Sequence, residues 1–142
     1  VVRMAGDDPA ARTVLVSGLT LPMGLAATER ALWVGDQATG TLWQLIAGGE
    51  VLAEPVAIAT GLAAPSGMAV TPGGQLLVLE TGTGRLLSLD PATGTLMTLA
   101  ENVPVTEATM NLPPSLQGGA VGPSGAIYVA GNGANQLLRI GP

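Results

Sequence analysis

Cysteine, histidine, lysine and phenylalanine are all absent from the 142 residues. Without cysteine there are no disulfides and no thiolate metal sites. Without histidine as well, a Ser-His-Asp triad, a cysteine nucleophile and the usual zinc ligand sets are excluded. The lack of lysine rules out a Gly-x-x-x-x-Gly-Lys-[Ser/Thr] phosphate loop. Positive charge is confined to five arginines against ten acids, for a net charge of −5. A nucleic-acid surface needs clustered positive charge, so no nucleic-acid partner is expected. No uninterrupted apolar run approaches the roughly 18 residues of a membrane-spanning helix, so no membrane partner is expected either. The chain begins Val1-Val2-Arg3 with no signal-peptide pattern, which reads as the processed or trimmed product of an exported protein.

What remains is apolar and rich in turns. Hydrophobic residues make up 47% and aromatics only 2%, beside 21 glycines and 11 prolines. That hydrophobic content argues against disorder. Packing must come from Leu, Val, Ile and Ala between frequent turns, which points to one all-β domain.

The stretch from Leu62 to Gly94 shows how. Its short apolar runs, Gly67–Val70, Gln75–Glu80 and Arg85–Asp90, are separated by Thr71-Pro72-Gly73-Gly74 and Thr81-Gly82-Thr83-Gly84. Glycine reaches positive φ without steric cost and proline presets φ near −65°, so these clusters read as hairpin turns in an antiparallel meander. Gly82-x-Gly84 is such a turn rather than a dinucleotide fingerprint, because no helix follows it.

The meander recurs. Leu32-Trp33-Val34-Gly35-Asp36 matches Leu76–Glu80, and Thr39–Leu45 matches Thr83–Leu89, both at an offset of 44 residues. A third copy, Gly118–Val129 and Gly131–Ile140, follows at an offset of 51, the excess lying in Glu101–Gln117. A further strand precedes each copy at Thr13–Val16, Pro55–Thr60 and Leu96–Ala100. Periods of this length indicate units that bury their faces against neighbours rather than alone. The reading is three four-stranded units, at about 11–49, 50–94 and 95–142, behind a flexible N-terminal arm over 1–10.

These units resemble NHL-type repeats and the related gluconolactonase-like β-propellers. The resemblance rests on Leu-x-x-Pro-x-Gly-x-Ala at Leu19–Ala26 and Leu62–Ala69, on Gly-Gly-x-Leu-x-Val at Gly73–Val78, and on Glu80-x-Gly-x-Gly-Arg85. The third copy departs from the pattern, with Gly131 in place of the acid and Gln136 in place of the arginine. The resemblance implies a β-propeller, and the family commonly builds six-bladed rings. Three blades per chain are then half a ring, because propellers close with about 4–8 blades. A head-to-tail homodimer follows as an expectation, with Thr13–Val16 of each chain pairing with Gln136–Ile140 of the other. The rival is half of a longer propeller cut at a blade boundary.

Asp36 and Glu80 end the second strand of their units. Each carboxylate can accept N–H bonds of its own turn, or face the channel and, with the carbonyl of Asn132, hold a divalent cation such as Ca²⁺, which takes six to eight oxygen ligands. In lactonase-like relatives a Glu, Asn and Asp set holds the metal, and no such set maps onto this chain residue by residue. Glu101–Gln117 is either a spacer or a binding loop carrying Glu107 and Asn111. Trp33 and Trp43 read as packing residues, and Arg85 as a bridge to a neighbouring blade. The function expected is a non-catalytic scaffold or binding module that self-assembles, without a cofactor. The alternatives are a metal-dependent lactonase-like hydrolase and an engineered or excised half-propeller with no activity of its own.

Overall fold

The computed structural model describes residues 1–4, 10, 12–105, 118–131 and 136–141 of the chain. Every regular element among them is a strand, and none is a helix that could cross a membrane. The chain opens with a hairpin of β1 (Val2–Met4) and β2 (Arg12–Val14). The first full blade follows: β3 (Pro22–Ala27), β4 (Leu32–Asp36), β5 (Thr41–Ala47) and β6 (Glu50–Ala59), hydrogen-bonded in that order. The second repeats it with β7 (Pro65–Val70), β8 (Leu76–Glu80), β9 (Arg85–Leu89) and β10 (Leu96–Ala100). The third holds β11 (Gly119–Val121), β12 (Ile127–Gly131) and β13 (Gln136–Ile140). Among the described residues this sheet has three strands, not the four expected of a unit at 95–142.

Three expectations need correction. Residues 1–10 are not wholly a frayed arm, because Val2–Met4 pair with Arg12–Val14. The strand expected over Pro55–Thr60 starts at Glu50, because Gly48 and Gly49, both at positive φ, turn the chain straight back from β5. Pro55 is tolerated there because β6 is an edge strand, where an absent N–H costs no ladder bond. The sheets are also phased one strand later than the repeats. β6 and β10 close the blade before them rather than opening the next.

The blades bury their faces against each other. Trp33 and Leu42 of the first blade meet Met68, Leu76, Val78, Leu87 and Leu89 of the second in one apolar seam. Leu77, Leu79 and Leu86 of the second meet Val129 and Val103 in the next. Strand β3 runs so close to β7 that a Cβ on Gly24 would lie 2.2 Å from the Ser66 carbonyl oxygen. Only glycine fits that approach.

Candidate functional site

The residues singled out for chemistry sit where each blade receives the chain. Before β3 and β7 a lead-in loop, Leu19–Leu21 or Leu62–Ala64, crosses the end of the second strand of its blade. Asp36 and Glu80 close that crossing. The Thr20 N–H donates to Asp36 Oδ2 at 2.8 Å and the Leu21 N–H to Oδ1 at 3.0 Å. The Ala38 and Thr39 N–H groups add longer bonds to Oδ1, at 3.2 and 3.4 Å. In the second blade the Ala63 N–H donates to Glu80 Oε1 at 2.9 Å, and Thr83 Oγ1 donates to Oε2 at 2.7 Å. Arg85 reaches the same Oε2 through Nε at 2.8 Å and Nη2 at 2.6 Å. The Arg85 pairing thus lies within one blade, not between blades, because the hairpin returns β9 directly beside β8 with Glu80 opposite Arg85.

Both carboxylates are buried, Asp36 at 2% and Glu80 at 1% exposure. Burial by itself pushes their pKa values up. The N–H donors around Asp36 outweigh it and hold that carboxyl below its usual range. For Glu80 the same balance is struck by the Ala63 N–H, Thr83 and the Arg85 hydrogen bond and charge. Both groups are therefore ionised acceptors already supplied with donors.

The lead-in loops of the second and third blades are also tied backwards. The Leu62 N–H donates to the Gly40 carbonyl of the first blade at 3.0 Å, and the Val103 N–H to the Gly84 carbonyl of the second at 2.8 Å. Gly40 and Gly84 are the positive-φ residues of equivalent turns. A Cβ on Gly40 would come within 2.3 Å of the Leu62 oxygen. The second and third loops are thus fastened to the preceding blade by a backbone bond, and the first and second to their own blade by a carboxylate. Gln37 Nε2 donates to Thr81 Oγ1 at 3.3 Å, linking equivalent positions on adjacent blades.

The third blade lacks the acid for a visible reason. Aligned on Leu62, Val103 is followed by Pro104, which has no N–H to give a carboxylate. Opposite it stands Gly131, where a Cβ would lie 2.8 Å from the Pro104 oxygen. The donor and the acceptor are lost together, and the carbonyl fills the side chain's space. The sequence shows both substitutions but not their contact.

A cation at Asp36 or Glu80 would have to displace these donors, so the two sites do not fit Ca²⁺. Among the described residues no group of three or more acidic, histidine or cysteine side chains could hold a metal. Asn132, Glu107 and Asn111 lie outside the described residues. Trp33 packs in the seam between blades one and two. Trp43 is half-buried beside Val16–Leu19 and Pro55. Both indole N–H groups are buried without a partner.

No protein-family model and no curated protein sequence matches the chain. Its fold is matched by solved structures. A gluconolactonase from Xanthomonas campestris aligns over 90% of this chain and 46% of its own, at 18% identity and a TM-score of 0.68. A catalytically inactive virginiamycin B lyase from Staphylococcus aureus, solved with quinupristin, aligns over 98% and 44%, at 16% identity and a TM-score of 0.63. The selenomethionine form of that lyase aligns over 87% and 39%, at 17% identity and a TM-score of 0.59. The chain therefore spans less than half the length of these structures. Both enzymes are β-propellers, and at this level of identity the likeness establishes the fold: this chain is all-β, with the blades of a β-propeller.

Proposed function

We propose that this chain is a non-catalytic half-propeller of NHL-type repeats, pairing head to tail with a second copy in a six-bladed ring that serves as a binding scaffold. One observation carries the reading. Met68 fills the seam between blades one and two and is 7% exposed, whereas Leu25, at the same repeat position on the outer side of blade one, is 54% exposed. At the other end Leu137 is 74% exposed, while its counterparts Leu42 and Leu86 are 0% and 3%. Among the described residues both terminal faces carry the side chains of a seam with no blade opposite, and apolar faces of this kind call for a partner. Two sets of three blades fall within the range of closed propellers.

Support for the non-catalytic part comes from the two acids at matched repeat positions, whose oxygens already hold the lead-in loops. The inactive lyase variant of the comparison is a histidine-to-alanine change, and this chain brings no histidine to any such site. A second reading, a metal-dependent lactonase-like hydrolase, is favoured by the likeness to a gluconolactonase. Melting scans with and without millimolar Ca²⁺, beside hydrolysis assays on a glucono-lactone, separate the two. The scaffold reading expects no calcium-dependent shift and no rate above buffer. A shift of several degrees together with turnover would replace it with the hydrolase.

A further inference from the structure

The β1–β2 hairpin has the register of the outer half of a blade. Each lead-in loop is preceded by a residue at positive φ: Gly18 at 82°, Gly61 at 73° and Asn102 at 55°. Counting back from these anchors, Val14, Ala57 and Thr98 are equivalent. In the second blade Thr98 pairs with Leu87, Met97 with Ser88 and Leu96 with Leu89, and a bulge sets Ala100 opposite Leu86. In the hairpin Val14 pairs with Val2, Thr13 with Arg3 and Arg12 with Met4. The bulge is reproduced too, since the Val1 amino group donates to the Val16 carbonyl at 3.1 Å and the Leu15 N–H to the Val1 carbonyl at 3.0 Å. β2 therefore stands as a fourth strand, like β6 and β10, and β1 as a third strand, like β5 and β9.

The third strand of the last blade is β13, so β1 and β13 hold the same place in the repeat. Their sequences agree residue for residue in kind: Val1-Val2-Arg3-Met4 and Leu137-Leu138-Arg139-Ile140. Among the described residues no strand pairs with the other edge of β1. A cavity of about 340 Å³ lies there instead, lined by Val2, Arg3, Leu15, Leu25 and Ile46 among others. The inner edge of β2 is thus already occupied by β1, and in a closed ring of two copies β13 of the partner would need that same edge.

Resting on the ring reading above, we propose that β1 is a stand-in strand: on assembly, β13 of a second copy displaces it and pairs with β2 in the same register. β1 is the strand that yields, because it is held on one edge alone, by three register pairs and the two Val1 bonds, whereas the incoming β13 arrives already paired to β12 over five. The displaced pairing sets Leu138 opposite Val14, as Leu87 is opposite Thr98. The unassembled chain thereby keeps β2 covered, where an open edge would invite indiscriminate strand addition.

Two measurements test this, and the proposal requires both. The chain has no cysteine, so mixing Val14→Cys with Leu138→Cys chains under mild oxidation must yield the mixed disulfide, read by mass spectrometry, well above either self-disulfide. Deleting residues 1–4 must tighten the dimer dissociation constant at least tenfold, since the competing strand is gone. A dimer with unchanged or weaker affinity after the deletion, or without the mixed disulfide, overturns strand displacement and leaves the ring standing. Failure of both full-length and shortened chains to dimerise overturns the ring reading with it.

Discussion

The seam between blades one and two and the outer side of blade one are built from the same repeat positions, yet one is closed and the other open. Met68 sits against Gly24 and Gly35 across the seam, whereas among the described residues Leu25 has the short β1–β2 hairpin and a cavity beside it. The residue types barely differ, so the repeat dictates an apolar side chain at that position whether or not this chain supplies a neighbour. Burying such a side chain stabilises by about 1.5–3 kcal/mol. At the seam that energy goes to folding, and in the proposed ring the end face would spend it on association.

The comparison breaks most sharply at the Leu42 position. Leu42→Ala is expected to cost about 2–5 kcal/mol of unfolding free energy, the range for a large-to-small change in a packed core. Leu137→Ala, measured in dilute solution, is expected to stay within about 0.5 kcal/mol while weakening self-association. Equal losses at the two sites would mean that the end face is not open. Met68→Glu should unfold the chain, because it buries an unpaired charge, and Leu25→Glu should leave it folded but monomeric. Circular dichroism and sedimentation together read both outcomes.

Next come the carboxylates. Glu80→Gln should cost about 1–3 kcal/mol at neutral pH, because it leaves the buried donors poorly matched, and Asp36→Asn the same. Folding lowers both pKa values. Their stabilisation is therefore present above the unfolded value near pH 4 and lost as pH falls through the lower folded values. Denaturation midpoints across pH 2–7 should drop at the acid end for the native chain and drop less for the double variant. The smallest effect is optical. Trp43 borders the amino-terminal side and Trp33 lies in the internal seam, so raising the concentration of a Trp33→Phe chain should blue-shift its emission. The emission of a Trp43→Phe chain should stay constant.

Much of this is legible in the sequence. Turn clusters at Thr71–Gly74 and Thr81–Gly84 delimit strands that the structure places within a residue or two, and the 44-residue offset aligns Asp36 with Glu80 in the same role. Three features were not legible. β1 is three residues long and the chain then passes through Asp7-Asp8-Pro9, so no periodicity marks it as a strand. The early start of β6 depends on Gly48 and Gly49 both taking positive φ and closing a tight hairpin, a conformation that the dipeptide permits but does not by itself dictate. The joint loss of the acid at Gly131 and the N–H at Pro104 needs the contact between two segments 27 positions apart. Sequence pattern reports what each strand offers locally, whereas register and close approach decide which offers meet.

Sedimentation equilibrium of the 142-residue chain over a range of micromolar concentrations reads whether two copies close a ring. A ring of two copies requires a concentration-dependent shift to twice the single-chain mass of 14.1 kDa and no larger species, since a closed ring has no face left to extend. A mass that stays at one chain throughout, or one that climbs without limit as open blades stack, would contradict it.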